Sequence, residues 1–420
     1  MNNNQNQPGE FDAVLRGEAQ KPNYAVVLGG IEGVKNRLNS EDYEVRVAAL
    51  KDALNYGDVG VDLIIDELYN SSNETHNYAI DLLRKAGVKG KRVLLDYDPW
   101  LVFTTFKNWE DWQDFCDDWI DNPIYQAYCL YHKNYLNSKN KLLRFLKDSQ
   151  PKYIEAIKCE MYYKDPNCKT AFKDFVQTII NARKSLPHLR ALLIGDYEAT
   201  YNEKYRKSRV NVSNIYPLLK SYPNLQLLHI RGRMVNEDIL KPELQILQIQ
   251  NSQKNSTISI KLLKPESLKT LIVDADGICD DNLAKVCNLN LPSLEYFELW
   301  LSRSDLININ MDSLAPVLSV ESFPNLAYLA IRKCGNMSEV AKAIVNSPIM
   351  KNLKILELTD GNISSGGAIA LLKSSAVNRL HTLNVSGNRL HKNTIEQLSN
   401  LKCRVIADSQ FSDRYYSVWE

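Results

Sequence analysis

The chain has 420 residues, a length that accommodates two to three domains of ordinary size. Its 51 Lys and Arg residues face 50 Asp and Glu residues, and this near-neutral balance excludes a uniformly basic nucleic-acid-binding protein. Hydrophobic residues make up 44% and charged residues 24%, which excludes a largely disordered chain. No apolar run is long enough for a membrane-spanning helix. We therefore expect neither a nucleic-acid partner nor a membrane partner.

The N-terminal segment and the cysteines bear on the cellular compartment. Residues 1–22 begin with a run rich in Asn and Gln and lack the apolar core of a secretory signal, so we expect a disordered tail. None of the eight cysteines stands in a C-x-x-C pair, and no zinc or thioredoxin-type site is predicted. We expect reduced thiols and a cytoplasmic location.

Residues 23–95 carry apolar side chains at helical spacing, which predicts consecutive amphipathic helices joined by short turns. We expect Ser40 to cap one of these helices at its N-terminus. Gly57 and Gly87 follow apolar periodic stretches and are expected to end two of the helices. The region is therefore predicted to be all-α.

Two strings in this region resemble a known repeat. The residues from Glu44 to Leu50 read Glu-Val-Arg-Val-Ala-Ala-Leu and resemble the second helix of a HEAT repeat. The longer stretch from Tyr24 to Gly57 is similar to a HEAT-like segment at the N-terminus of many cyanobacterial multi-domain proteins. The resemblance implies an interaction or adaptor module over residues 23–95.

Residues 96–152 differ in composition from what precedes them. Between Asp96 and Asp121 stand four of the six tryptophans, and eight acidic residues face one Lys. On a helix, one face would carry Trp109, Trp112 and Trp119. This stripe is either an aromatic wedge that seals the helical region onto its neighbour or a second docking surface for a basic partner. The segment from Tyr125 to Lys152 is predicted to be helical and basic, and it would pair with the acidic segment within the chain.

A leucine motif dominates residues 153–405. The pattern L-x-x-L-x-L occurs eight times after Pro187, and a degenerate ninth copy precedes it at Ile154, Ile157 and Cys159. The starts of successive copies are 19 to 36 residues apart. The last two apolar residues of each copy alternate, so a short strand would bury them on one face, and only stacked copies make a core. In the last copy, Asn388 is expected to satisfy backbone groups of the turn.

This pattern predicts an α/β leucine-rich-repeat solenoid. The spacing leaves room for helices on the convex side and places a parallel sheet on the concave face of a horseshoe, similar to the ribonuclease-inhibitor type. Residues 406–420 are predicted to cap the open end. The strings Leu186–Glu198, Leu294–Leu301 and Asp413–Val418 resemble an uncharacterised family of bacterial cytoplasmic leucine-rich-repeat proteins. That family has no assigned enzymatic activity and no established catalytic residues to carry over to this chain.

The residues between the strand leucines are expected to face the concave surface and to bind a partner there. Trp300, flanked by Tyr296, Tyr328 and Arg332, is the predicted anchor, because Trp, Tyr and Arg are enriched at binding hot spots. The alternative is a solvated face with incidental aromatic residues. The full predicted set is His229, Arg231, Arg233, Gln248, Gln250, Asp274, Asp276, Tyr296, Glu298, Trp300, Tyr328, Arg332 and Glu357. Asp274 and Asp276 alone are too few ligands for a divalent cation, so we predict no metal and no cofactor.

The sequence therefore predicts a monomeric, non-enzymatic scaffold that binds a protein partner of unknown identity. One alternative is a regulator of a small GTPase, for which Arg233 or Arg303 would supply the required arginine. A second is a ubiquitin-ligase-like effector that uses Cys116 in its C-x-D string.

Overall fold

The computed structural model describes residues 30–70, 73–103, 113–114, 127–132, 154–161, 171–196, 211–212, 215–234, 244–251, 265–275, 278–302 and 306–410. The chain divides into two compact units, Met1–Val102 and Phe103–Glu420. No helix within the described ranges is both long and apolar enough to cross a bilayer. The predicted tail 1–22 and the predicted docking tryptophans lie outside the described residues.

The first unit is helical, as its periodicity predicts. Its helices are Gly30–Leu38 (α1), Tyr43–Ala53 (α2), Gly57–Asn70 (α3), Asn73–Lys85 (α4) and Gly87–Tyr97 (α5). Their apolar faces form one core that includes Leu50, Ile64, Leu68 and Leu83, each 2% exposed or less. The prediction that Ser40 caps α2 is wrong, because Asp42 is the capping residue and accepts a hydrogen bond from the Glu44 amide at 2.9 Å.

Glycine pairs shape two turns of the helical unit. Gly57 begins α3 with φ of +56°, a conformation that favours glycine. Three residues later, a Cβ on Gly60 would lie 1.7 Å from the carbonyl oxygen of Ala53. The same arrangement recurs 30 residues on, where Gly87 has φ of +66° and a Cβ on Gly90 would lie 2.2 Å from the Leu83 oxygen. The close approach of α2 to α3 and of α4 to α5 therefore requires glycine at positions 60 and 90.

The second unit contains a parallel sheet. Its strands within the described residues are Gln113–Asp114 (β1), Ala127–His132 (β2), Ala156–Met161 (β3), Ala191–Asp196 (β4), Asn211–Val212 (β5), Leu227–Met234 (β6), Ile246–Asn251 (β7), Thr270–Ala275 (β8), Tyr296–Trp300 (β9), Tyr328–Arg332 (β10), Ile355–Thr359 (β11), Thr382–Asn384 (β12) and Arg404–Ile406 (β13). They are hydrogen-bonded in chain order, except that β5 pairs only with β6. Every pairing is parallel.

Helices return the chain between strands on one side of this sheet. Those in the described residues are Ala171–Asn181 (α6), Tyr216–Ser221 (α7), Asp280–Cys287 (α8), Met311–Leu318 (α9), Met337–Val345 (α10), Ser365–Lys373 (α11) and Lys392–Ser399 (α12). Leu329 and Ile331 of β10 share one apolar core with Val340 and Ile344 of α10. Each of the nine predicted motif copies forms a strand that contributes to this core, so the unit is an α/β solenoid-like stack with a parallel sheet.

One prediction fails at the start of the sheet. The segment from Tyr125 to Lys152 is expected to be helical, but Ala127–His132 is strand β2 and pairs along its whole length with β3. The sheet therefore extends two strands further toward the N-terminus than the leucine motif indicates. The sequence of Ala127–His132 lacks the motif leucines, and a short apolar run is compatible with either a strand or a helix.

Asn388 lies in the turn after β12 and is fully buried. Its amide nitrogen donates to the carbonyl oxygens of Leu358 at 2.7 Å and Val385 at 2.9 Å, while its amide oxygen accepts from the Ile363 amide at 3.0 Å. The prediction that this side chain satisfies backbone groups in the turn is confirmed. One asparagine thus joins two neighbouring repeats by hydrogen bonds that the buried backbone requires.

Candidate functional site

The register of the sheet aligns the predicted site residues into rows. We define the ladder face as the sheet face opposite the α-helices, with three rows that run across the strands. The first row passes through Ile246, Thr270, Tyr296, Tyr328 and Ile355, and the second and third rows lie two and four residues further along each strand. Parallel strands place paired side chains about 5 Å apart, so neighbours within a row touch.

The predicted anchor residues form a single cluster on β9 and β10. The rings of Tyr296 and Tyr328 are stacked, with centroids 3.8 Å apart and planes 6° from parallel. In the third row, the guanidinium of Arg332 lies over the Trp300 ring at 4.9 Å from its centroid. This cation–π contact and the stacked pair hold four aromatic or cationic groups side by side.

Glu298 lies between these groups and binds three of them. Its carboxylate accepts from the Tyr296 hydroxyl at 2.5 Å, from the Trp300 indole nitrogen at 2.6 Å and from Arg332 Nε at 2.8 Å. The Glu298 side chain is only 9% exposed. A buried carboxylate is stable only when such donors surround it, so Glu298 fixes the geometry of the whole cluster.

Arg332 connects this cluster to β11. Its Nη2 donates to Glu357 at 2.5 Å and its Nη1 to Thr359 at 2.6 Å. Burial disfavours the charge of Arg332, but the nearby carboxylate of Glu298 and that of Glu357 outweigh it and raise the pKa of the guanidinium above its ordinary value. Burial is also the first cause that raises the pKa of Tyr296 and Tyr328 above the ordinary value, and Glu298 adds to it. The cluster therefore holds one permanent cation, two carboxylates and two neutral phenols.

A second polar chain crosses the third row further toward the N-terminus. Arg231 donates to the Gln250 side-chain oxygen, and the Gln250 amide donates to Asp274 at 2.9 Å. Arg231 is 7% and Gln250 9% exposed. The amide thus links a cation and an anion on strands that are not adjacent, which fixes all three side chains.

Phe103 contacts the tyrosine pair and was not predicted as a site residue. Its ring centroid lies 5.6 Å from that of Tyr296 and 5.7 Å from that of Tyr328, with both pairs edge to face. Phe103 is 8%, Tyr296 6% and Tyr328 1% exposed. The sequence places Phe103 in the aromatic segment after Asp96, but no spacing links it to strands some 200 residues away.

Some of the remaining predicted residues lie on the ladder face, and the structure does not describe the side chains of the others. His229 and Gln248 lie in its second row, where His229 is 4% exposed and Gln248 is partly buried. Arg233 belongs to β6, but its side chain is not described, and Asp276 and the tryptophans Trp109, Trp112 and Trp119 lie outside the described residues. Among the described residues, the predicted binding surface is thus largely buried, and its partly exposed members are Gln248, Asp274, Trp300 and Arg332.

A separate cavity of about 510 Å³ lies beside the first residues of β3 to β8. Its lining includes Glu155, Arg190, Gln226 and Gln245. Arg190 donates to the Gln226 side chain at 2.9 Å and lies 3.7 Å from Glu155, so the lining groups already bind one another. We assign no ligand to this cavity.

Comparisons with known proteins add little to this geometry. No protein-family model matches the chain, and no curated protein matches it. Among solved structures, the chain is similar to a Bacteroides fragilis protein whose crystal structure was determined as a structural-genomics target. The two share 20% sequence identity over 68% of this chain and 76% of the other, with a TM-score of 0.49.

Proposed function

We propose that the chain is a non-enzymatic scaffold or adaptor in the cytoplasm, and that a protein partner binds the ladder face at Trp300 and Arg332. In this proposal the helical unit is a HEAT-like module and the sheet unit a leucine-rich-repeat horseshoe whose concave surface is the ladder face. Both repeat types present extended surfaces for other proteins, because each repeat contributes one strip of surface.

One observation carries the proposal. Trp300 and Arg332 remain partly exposed, while their polar groups are bound from below by Glu298 and Glu357. A partner would therefore meet an indole and a guanidinium that are already held in one orientation. Preorganised groups lose less conformational entropy on binding, and Trp and Arg are frequent at hot spots.

The experiment begins with affinity purification coupled to mass spectrometry, followed by measurement of the affinity of a purified partner. We expect Trp300→Ala to weaken that affinity by more than about 1 kcal/mol, roughly a factor of five. The matched control is Tyr216→Ala, which removes an exposed aromatic ring from helix α7, away from the ladder face. Equal affinities of wild type and Trp300→Ala would reject the ladder face as the binding site.

Trp300→Phe separates the two contributions of the indole. It keeps an aromatic face beneath Arg332 but loses the N–H that donates to Glu298. If orientation matters, this variant should bind the partner with an affinity between those of wild type and Trp300→Ala.

A further inference from the structure

The contact of Phe103 with the tyrosine pair has three properties that distinguish it from ordinary core packing. It lies on the ladder face, and none of Phe103, Tyr296 and Tyr328 belongs to the apolar core between sheet and helices. Phe103 itself stands in no helix or strand and follows the short 3₁₀ turn Pro99–Leu101. Among the described residues, the side chain of Phe103 thus packs from an irregular segment onto an aromatic surface of the sheet.

The tyrosine pair is built as a rigid surface for such a ring. The Tyr296 hydroxyl donates to Glu298, and Arg332 donates to the Tyr328 hydroxyl at 3.5 Å. These bonds turn the polar ends of both rings toward the charged cluster. The stacked rings are held 3.8 Å apart, and Phe103 packs its edge against both. Edge-to-face packing of this kind selects an aromatic side chain over an aliphatic one of similar size.

The row to which the tyrosines belong is apolar over much of its length. Ala156, Ala191, Leu227 and Ile246 form a separate buried cluster in this row. A ring seated on the tyrosines lies two residues along the strands from Glu298 and four from Trp300 and Arg332, about 7 and 13 Å. One bound segment of a few residues would therefore span both the tyrosine pair and the Trp300–Arg332 pair.

We propose that the tyrosine pair is a receptor for an aromatic side chain, that Phe103 is its internal ligand, and that a protein partner binds by inserting an aromatic residue of its own in place of Phe103. The last step rests on the proposed function. Phe103 is the first residue of the sheet unit, so it competes with an added ligand at a high effective concentration. Removal of its ring should make the receptor available to an aromatic ligand added from outside.

The probe is an acetylated, dye-labelled peptide of residues 99–107, Pro-Trp-Leu-Val-Phe-Thr-Thr-Phe-Lys, and its control carries Ala at the position of Phe103. Binding to the full chain is measured by fluorescence anisotropy. We expect the Phe peptide to bind Phe103→Ala about tenfold more tightly than it binds wild type, and about tenfold more tightly than the Ala peptide does. Tyr328→Leu in the Phe103→Ala background should remove the preference for the Phe peptide.

Equal affinity of the two peptides for Phe103→Ala would overturn the receptor, as would equal affinity of the Phe peptide for Phe103→Ala and wild type. Circular dichroism checks folding, and if Phe103→Ala does not fold, Phe103→Leu takes its place in the same comparisons. Leucine fills space without a ring, so it should close the receptor less well than phenylalanine.

The affinity of a purified partner for the Phe103→Ala and Trp300→Ala variants tests this inference and the proposed function separately. If the partner inserts an aromatic residue, its affinity for Phe103→Ala should exceed that for wild type by about fivefold or more. Peptide binding with unchanged partner affinity would overturn the displacement of Phe103. A partner insensitive to Trp300→Ala would reject the proposed function and leave the peptide result intact.

Discussion

The helical unit and the sheet unit bring successive elements together by different means. In the helical unit, backbone approaches backbone at Gly60 and Gly90, where any larger residue would collide with a carbonyl oxygen of the preceding helix. In the sheet unit, neighbouring strands are joined by backbone ladders, and side chains such as Glu298, Arg332 and Asn388 bridge them. The packing of the helical unit therefore requires the absence of a side chain at two helix positions. The packing of neighbouring strands in the sheet unit relies instead on particular polar side chains.

The largest effect is expected from Arg332→Leu in the sheet unit. The substitution leaves Glu298 and Glu357 buried without their shared cation, and removal of one partner from a buried ion pair costs about 3–5 kcal/mol. The free energy of unfolding, measured with urea, should fall by this amount. Arg190→Leu is the control, since that side chain is 46% exposed and its loss should change stability by less than about 1 kcal/mol. Equal losses for both variants would contradict the buried network.

A slightly smaller effect is expected from Gly60→Ala in the helical unit. In an ordinary helix this change stabilises by about 0.5–1 kcal/mol. Here the new Cβ would lie 1.7 Å from the Ala53 oxygen, so we expect a loss of about 3 kcal/mol in the unfolding free energy. Gly366→Ala in α11 is the control, because its nearest neighbour is the flexible end of Lys342 at 3.6 Å. A stabilised Gly60→Ala would show that the helices do not approach this closely.

Asn388→Ala tests the side-chain bridges between repeats. The variant leaves buried backbone groups of Leu358, Val385 and Ile363 without their partner, at a cost of about 2 kcal/mol. Asn346→Ala is the control, because that exposed amide donates to the Lys342 carbonyl of its own helix, and its loss should change stability by less than about 0.5 kcal/mol. The comparison is made by thermal and urea unfolding, and similar losses of stability for both variants would show that the Asn388 side chain does not stabilise the junction of the two motif copies.

The smallest effect is a difference between the two units in how their unfolding free energy depends on pH. Burial raises the pKa of the Cys287 and Cys334 thiols to about 12 from an ordinary 9.0, and residues 1–102 contain no cysteine. Each thiol therefore contributes stability that is complete below pH 9 and is lost as the pH rises toward 12, because the unfolded chain deprotonates first. We expect the sheet unit to lose about 1 kcal/mol per thiol between pH 9 and 10.

The double variant Cys287→Ala, Cys334→Ala provides the test of that slope. Its stability at pH 7 will be lower because two cavities form, but its dependence on pH between 8 and 10.5 should be shallower than that of wild type. Identical slopes would show that the two thiols do not drive the alkaline loss of stability.

The leucine motif predicted the strands because it reports burial on one face with a period of two. It could not predict β2, since Ala127–His132 lacks the motif leucines and its pairing with β3 is a long-range property. In the helical unit, apolar spacing predicted the helices, and Gly57 and Gly87 were expected to end two of them, but nothing in the pattern distinguished Gly60 and Gly90. Their function as close-contact points depends on the path of the backbone.

The candidate site shows the same division. Register alone brought the predicted anchor residues together, because Tyr296 and Tyr328 occupy one position of their motif copies and Trp300 and Arg332 occupy another. Burial of the cluster was not predictable, since it depends on how Glu298 satisfies its neighbours and on Phe103, which is distant in sequence. A binary pattern records which face a residue occupies and not what covers that face.

The sheet pairs without any offset from Ala127 of β2 to Arg404 of β13, if the side strand β5 is set apart. The ladder face is therefore a regular grid, in which three rows run across the sheet and each strand contributes one residue to each row that it reaches. Insertion of a single residue inside a strand would move every later side chain of that strand to the opposite face. Insertions between strands leave this register unchanged. The motif copies can therefore start at distances that vary from 19 to 36 residues. A new binding surface can thus arise by substitution of the ladder-face residues of one strand, without disturbing the register of the other strands.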